Sequence, residues 1–220
     1  LRIAGEDELM SMKKPAPTVY VVDDDPDVLK ALERLLQSDG LNVATFSSPR
    51  EFLERFERDA PGCLVLDLAL PGLSGLELQR VLEQQASLLP IVFLTGRGDI
   101  PTSVKAMKHG AADFLTKPVD DAELIAAIRE ALVSGEAQRR AREERESVAK
   151  RLATLTERER QVLEQIVAGR LNKEIAAGLG TVEKTIKFHR ANLMRKMGVR
   201  VVADLVKLAE RAGVGSTPGT

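Results

Sequence analysis

Val19-Tyr20-Val21-Val22-Asp23-Asp24 and Cys63-Leu64-Val65-Leu66-Asp67 decide the fold. Each is a short apolar run that stops at acid. Runs of four apolar residues without alternation are the pattern of strands buried on both faces, which in practice means a parallel sheet. Two such strands would deliver Asp23, Asp24 and Asp67 to one sheet edge, and the carboxyl-end edge of an open α/β sheet is where ligands bind. Three like charges brought together repel, and a divalent cation is the usual remedy. The trio is therefore a candidate Mg²⁺ site with one carboxylate free to act as a nucleophile.

Outward from these runs the chain alternates strand and helix. Strands are expected at Thr18–Val22, Leu41–Phe46, Cys63–Leu66, Ile91–Leu94 and Asp113–Leu115. Helices are expected at Pro26–Ser38, Pro49–Arg58, Ser74–Gln85, Pro101–Lys108 and Asp120–Val133. Five strand–helix repeats predict an α/β, doubly wound, five-stranded parallel sheet with helices on both faces. From Glu136 to Arg151, ten of sixteen residues are charged, with acids and arginines at i,i+3 and i,i+4 spacing; this predicts a solvated helical linker. Beyond it only helix signals remain. Thr156 with Glu159 three later is a capping-box pattern, and Gly169, Gly180 and Gly198 close successive helices. Helices at about 156–168, Asn172–Leu179, Val182–Met197 and Val201–Arg211 fit an all-α helix-turn-helix unit. The expected organisation is a disordered tail over 1–16, an α/β domain over 17–134, a linker over 135–152, the helical domain over 153–213 and a second tail over 214–220. Leu1 is an unusual first residue, and Met10 or Met12 would serve as a start.

Bulk properties narrow the class. No apolar run approaches the roughly 18 residues of a membrane span, and Leu1–Lys14 has no signal-peptide core, so a cytoplasmic protein without membrane contact is expected. Cys63 is the only cysteine and sits inside an apolar run, which reads as a small core residue rather than a reactive thiol. The net charge of −1 hides an asymmetry: residues 154–220 hold 12 Lys+Arg against 7 Asp+Glu, and the remainder 20 against 26. The basic last part favours a nucleic-acid partner.

The residues past the other strands suit a phosphoryl group. A carboxylate can attack phosphorus and hold the product as an acyl phosphate; a second can hold Mg²⁺; the Thr95 hydroxyl and Lys117 ammonium can bind the remaining oxygens, with Gly96 leaving room. Val21-Val22-Asp23-Asp24-Asp25, Leu66-Asp67-Leu68-Ala69-Leu70-Pro71-Gly72-Leu73-Ser74-Gly75, Leu94-Thr95-Gly96 and Phe114-Leu115-Thr116-Lys117-Pro118 resemble the receiver domain of two-component response regulators, over about residues 17–134. The resemblance implies that Asp67 accepts phosphate from a sensor histidine kinase. It implies Mg²⁺ bound by Asp24, Asp67 and the Ala69 carbonyl, with Asp23 acting through water, Thr95 and Phe114 as a switch pair, and Lys117 on the phosphoryl oxygens. Asp25 reads as a solvated loop carboxylate. Arg97 stands at the expected pocket mouth, with an influence on phosphate lifetime and an ordinary loop arginine as its two readings.

In the last domain Lys184, Lys187 and Arg190, spaced by three, can share one helix face and meet phosphates; Phe188 and Leu193 fall on other faces and are expected inside. Leu155-Thr156-Glu157-Arg158-Glu159-Arg160-Gln161-Val162-Leu163, Gly169-Arg170-Leu171-Asn172-Lys173-Glu174-Ile175-Ala176 and Lys184 through Met197 resemble the LuxR-type helix-turn-helix of the NarL/FixJ regulators, over about 152–212. The resemblance implies a recognition helix over Val182–Met197, with Lys184, Thr185, Lys187 and Phe188 facing the groove, His189 and Arg190 near the backbone, and Asn172 and Lys173 contributing from the supporting helix. On Phe188 the two readings conflict. Val182 stands where the family usually has a capping Ser, with Thr181 as a substitute cap, and Val201 where a polar residue usually opens the last helix. The combined expectation is a transcriptional response regulator that dimerises on phosphorylation and binds promoter DNA, with RNA polymerase as a further partner the resemblance admits. Its only catalysis would be self-phosphorylation and slow self-dephosphorylation. A phosphate sink with a protein-binding C-terminus and a metal-dependent hydrolase are the alternatives.

Overall fold

The computed structural model describes residues 16–96 and 100–214. Arg97 and the expected tails, save Ala16 and Val214, lie outside them. The chain forms two compact units that divide between Arg139 and Arg140.

The first unit is the expected sheet. Strands β1 (Thr18–Val22), β2 (Asn42–Phe46), β3 (Gly62–Leu66), β4 (Ile91–Thr95) and β5 (Asp113–Thr116) are all parallel, in the order β2-β1-β3-β4-β5. Every residue of β3 and β4 is buried, which explains why their sequences do not alternate. Helices α1 (Pro26–Ser38), α2 (Pro49–Arg55), α3 (Gly75–Gln84), α4 (Ile100–Lys108) and α5 (Asp121–Ala153) follow successive strands. Side-chain alternation splits the core in two. Val19, Val21, Cys63, Val65, Val92 and Leu94 face Leu32 and Leu36 of α1 and Leu124 and Ile128 of α5. Val22, Leu64, Leu66 and Phe93 face Phe52 of α2, Leu78 and Leu82 of α3 and Ala106 of α4. Cys63 is fully buried, and burial pushes its thiol up to about 12, an inert core residue as expected.

Two elements depart from the sequence reading. Helix α2 stops at Arg55 rather than Arg58, because Phe56 turns extended (φ −76°, ψ 123°) and stacks on Phe52 with ring centroids 4.8 Å apart. Helix α5 does not stop at Val133. It continues for 33 residues to Ala153, since the charged stretch contains no breaker and forms ion pairs such as Arg142–Glu146 at 2.9 Å.

The second unit contains α6 (Glu157–Val167), α7 (Asn172–Gly178), α8 (Glu183–Met197) and α9 (Val202–Arg211). They enclose a core of Val162, Leu163, Ile175, Ile186, Leu193, Met197 and Leu205, joined by Val148 from the last turns of α5. The capping box is present, with Thr156 accepting from the Glu159 amide and Glu159 from the Thr156 amide. No helix among the described residues is long and apolar enough to cross a membrane.

Candidate functional site

The carboxyl ends of β1, β3, β4 and β5 gather the predicted phosphoryl chemistry. Val22 and Leu66 are register partners on β1 and β3, and the Asp67 amide donates to the Val22 carbonyl at 3.0 Å; Asp23 and Asp67 therefore leave adjacent strands side by side. Thr95 pairs with Thr116, and the Lys117 amide donates to the Thr95 carbonyl at 2.8 Å. The order β2-β1-β3 places the acids at the switch point of the sheet, where chain connections diverge and leave a crevice.

Asp23 is 3% exposed. One of its oxygens accepts from the Asp25 amide at 2.9 Å and the other from the Lys117 ammonium at 2.5 Å. The same ammonium stands 3.9 Å from Asp67 Oδ1. Asp67 is buried; its Oδ2 accepts from the Ala69 amide at 3.2 Å, while Oδ1 has no hydrogen-bond partner. Asp24 is exposed and Thr95 fully buried. Phe114 is half-buried against Phe93, centroids 6.0 Å apart. A Cβ at Gly96 would meet nothing within 4 Å, so the packing of the described residues does not itself demand glycine there.

The three carboxylates do not converge as one metal-binding group: no cluster of three His, Cys, Asp or Glu arranged for a metal exists among the described residues. Lys117 supplies the counter-charge that the acidic trio calls for. A two-carboxylate, one-carbonyl set of Asp24, Asp67 and Ala69 remains, with a buried and unbonded Asp67 oxygen in it; all-oxygen donors of this kind fit Mg²⁺. Asp25 is more than a solvated loop acid. It is the N-cap of α1, accepting from the Asp27 and Val28 amides at 2.8 and 3.4 Å.

In the second unit the α7–turn–α8 pair presents the basic face. Lys173, Lys184 and Lys187 are exposed, and Asn172, Thr185, His189 and Arg190 half-buried. Arg190 donates to Asn172 Oδ1 at 2.8 Å, tying α8 to the start of α7, and Lys187 pairs with Glu183 at 3.0 Å. Phe188 is 63% exposed. The helical-face reading that puts it inside is wrong, because Ile186 and Leu193 already fill the core side of α8. Lys196 turns away to pair with buried Glu159 at 2.6 Å. Helix α8 starts at Val182 without a side-chain cap; the Thr181 amide instead donates to the Ala176 carbonyl at 2.9 Å, and its side chain does not replace the missing serine. Helix α9 likewise starts uncapped at Val201.

Comparison with known proteins places each unit in a known family. The family model "Response regulator receiver domain" matches residues 19–129, and "Bacterial regulatory proteins, luxR family" matches 153–209. The response regulator protein TodT of Pseudomonas putida is 45% identical over 203 residues, covering 92% of this chain and 89% of TodT. The transcriptional regulatory protein FixJ of Azorhizobium caulinodans is 45% identical over 196 residues, covering 89% and 93%. The solved structure of the response regulator StyR superposes with a TM-score of 0.83 at 46% identity, covering 89% of this chain and 99% of StyR. The chain belongs to the NarL/FixJ family of two-component response regulators.

In this response regulator, sequence reasoning passes over one residue packed against the Asp67 backbone. A Cβ on Gly75 would stand 2.4 Å from the Asp67 carbonyl oxygen and 3.1 Å from the Leu68 Cα. Helix α3 can begin against the Asp67 backbone only because its first residue has no side chain. The signal was present in Ser74-Gly75-Leu76-Glu77, where the capping box fixes the helix start one residue before the glycine.

Proposed function

We propose that this response regulator accepts a phosphoryl group on Asp67 from a sensor histidine kinase and, as a phosphorylation-promoted dimer in the cytoplasm, binds promoter DNA. The observation that carries the proposal is the buried Asp67 Oδ1, without a hydrogen-bond partner and 3.9 Å from an ammonium. An unbonded carboxylate oxygen keeps its lone pairs for attack on phosphorus. The new bond is Asp67 O–P, and the bond that breaks is P–N to the kinase imidazole, which leaves with the electron pair. Asp24, Asp67 and the Ala69 carbonyl would hold Mg²⁺ with Asp23 acting through water; the ion, when bound, neutralises the transferring oxygens. Lys117 pairs with the phosphoryl oxygens, moving from Asp23. Gly96 leaves the approach open, and Thr95 and Phe114 form the switch pair that passes the change to the surface including residues 100–130.

On the DNA side, α8 enters the major groove. Lys184, Thr185, Lys187 and Phe188 face base edges, while His189, Arg190, Asn172 and Lys173 hold the backbone. Dimerisation pairs two such helices on half-sites about one helical turn apart, and RNA polymerase is the partner such a complex would meet.

Intact mass after incubation with acetyl phosphate and Mg²⁺ tests the first step. One phosphoryl adduct on wild type and none on Asp67→Asn is the expected result; an adduct on both would move the acceptor elsewhere. For the second step, Lys187→Ala is expected to weaken binding to a selected promoter, and the affinity of the wild-type chain for it to fall steeply with salt. Unchanged affinity would remove Lys187 from the interface.

A further inference from the structure

Outside both sites, one buried polar side chain makes contacts that core packing does not explain. Gln79, on the second turn of α3, is 3% exposed. Its amide nitrogen donates to the Ala106 carbonyl at 3.0 Å and the His109 carbonyl at 3.2 Å, while its oxygen has no hydrogen-bond partner. Both acceptors belong to the end of α4. That helix closes as a Schellman turn, with Ala111 N–H on Ala106 O, Gly110 N–H on Met107 O, and Gly110 at φ +83°. The turn leaves the His109 carbonyl over, and Gln79 satisfies it from the neighbouring helix. One turn further along α3, Glu83 stands 3.4 Å from His109 Nδ1. Two successive turns of α3 thus grip one end of α4. Along the outer face of α4, from its start toward the gripped end, Ile100, Val104 and Met107, spaced four and three, are 80%, 47% and 46% exposed.

We infer that Gln79 is a positioning residue for the phosphoryl switch, a pin that fixes the carboxyl end of α4 to α3 so that α4 responds to Asp67 by swinging about that end. The inference rests on the function proposed above and adds the fulcrum. A nine-residue helix is about 13 Å long. Held at one end, a displacement of about 2 Å at the other rotates the Ile100–Val104–Met107 face by roughly 8°, from the same rise per residue. Without the pin the same push slides the helix, and the face is not presented in one orientation. The unpaired Gln79 oxygen supports the assignment: the amide orientation is set by its two donated bonds to α4.

The test uses the full chain with Gln79→Met, which keeps the stem and removes both donors, and with Gln79→Glu, which turns acceptors toward two carbonyls. Amide exchange, mass adduct and sedimentation are read with and without acetyl phosphate and Mg²⁺. The expected result for Gln79→Met is an unchanged Asp67 adduct and about tenfold faster exchange at His109, Gly110 and Ala111. Exchange in β4 should be unchanged, and the phosphorylated dimer about tenfold weaker, the loss of one to two net hydrogen bonds. Gln79→Glu should exceed both effects. A phosphorylated dimer within twofold of wild type, despite faster exchange at 109–111, would make Gln79 a merely structural cap and overturn the inference. Unchanged exchange would overturn it at the first step. Failure of wild type itself to take the adduct or to dimerise would instead strike the functional reading beneath it.

Discussion

Lys117→Met should destabilise the first unit by about 3 kcal/mol. In the structure Lys117 reaches Asp23 at 2.5 Å and Asp67 at 3.9 Å, with the two carboxylates 5% and 9% exposed and the ammonium 26%. At an effective dielectric of about 20, a charge pair near 4 Å is worth about 4 kcal/mol, and the closer Asp23 contact more. Much of that attraction is cancelled by the hydration the ammonium gives up, since it keeps only a quarter of its surface in solvent. Removing one partner of a buried pair leaves the other charge uncompensated at roughly 3–5 kcal/mol; the partial exposure of Lys117 places the cost at the low end. With a urea slope of about 1.5 kcal/mol/M, the midpoint should fall by about 2 M.

The chain itself supplies the assay. It has one tyrosine and no tryptophan, and Tyr20 lies on β1 among Phe46, Phe52 and Phe56, so tyrosine fluorescence follows this unit alone even if the other unfolds separately. Two further measurements separate electrostatics from lost packing. Asp67→Asn should recover at least about 1 kcal/mol in the Lys117→Met background, by removing one of two facing charges, and less in wild type, where Lys117 offsets the repulsion. Mg²⁺ at a hundred times its dissociation constant adds about 2.7 kcal/mol to a protein that binds it only when folded, so at one fixed concentration it should stabilise Lys117→Met, whose acids have lost their competing ammonium, more than wild type. A midpoint shift under about 0.5 kcal/mol, the scatter of ordinary surface changes, would refute the reasoning. So would equal effects of Asp67→Asn in both backgrounds.

The second unit carries two predictions. Burial pushes the Glu159 carboxyl up, but the hydrogen bonds from Lys196 and Thr156 outweigh it and hold it below the ordinary value of 4.5. A depressed folded value means that the stabilisation is complete above pH 4.5 and is lost as pH falls through the lower folded value. Glu159→Gln should therefore flatten the acid limb of stability, followed by the NMR methyl signals of Leu163 and Leu193; an unchanged limb would count against the Lys196 pair. Val182 already has the extended backbone of an N-cap (φ −101°, ψ 152°) and no side chain to accept with. Val182→Ser should add about 1 kcal/mol, read as slower exchange of the Lys184 and Thr185 amides, and no slowing would mean that the cap does not form.

The strand ends were legible because the apolar runs stop at polar residues while the chain stays buried: Asp23, Asp67 and Thr95 are 3%, 8% and 0% exposed. Asp23 and Asp67 directly follow β1 and β3 and Thr95 is the last residue of β4, and parallel pairing then aligns those ends across the sheet. Contacts between distant residues were not legible. Lys117 and Asp23 are 94 positions apart, and nothing local says that an ammonium rather than a metal first answers the acidic trio. Gln79 reads in sequence as one polar residue in an apolar helix face; only the end of α4, 27 to 30 positions away, explains its burial. Phe188 misled the helical-face argument for the opposite reason. Periodicity reports which apolar residues lie together, whereas the small core of the second unit was already filled from other positions on α8.

These outcomes share a physical logic. A residue buried for packing is predictable from its own neighbours in sequence, as Cys63 and Leu193 are. A residue buried for chemistry breaks local rules and has its compensation elsewhere in the chain. Asp67 sits in the core with an oxygen left unbonded, at a cost of the order of 1–3 kcal/mol, and Lys117 offsets that cost only at 3.9 Å. A closer lysine would stabilise the fold and occupy the unbonded Asp67 oxygen. A more distant one would leave two buried acids repelling across adjacent strands. The lysine held on Asp23 rather than Asp67 is the arrangement that keeps the domain folded and leaves an Asp67 oxygen unbonded, and in the proposed function it leaves an ammonium within reach of the charge that phosphorylation would add.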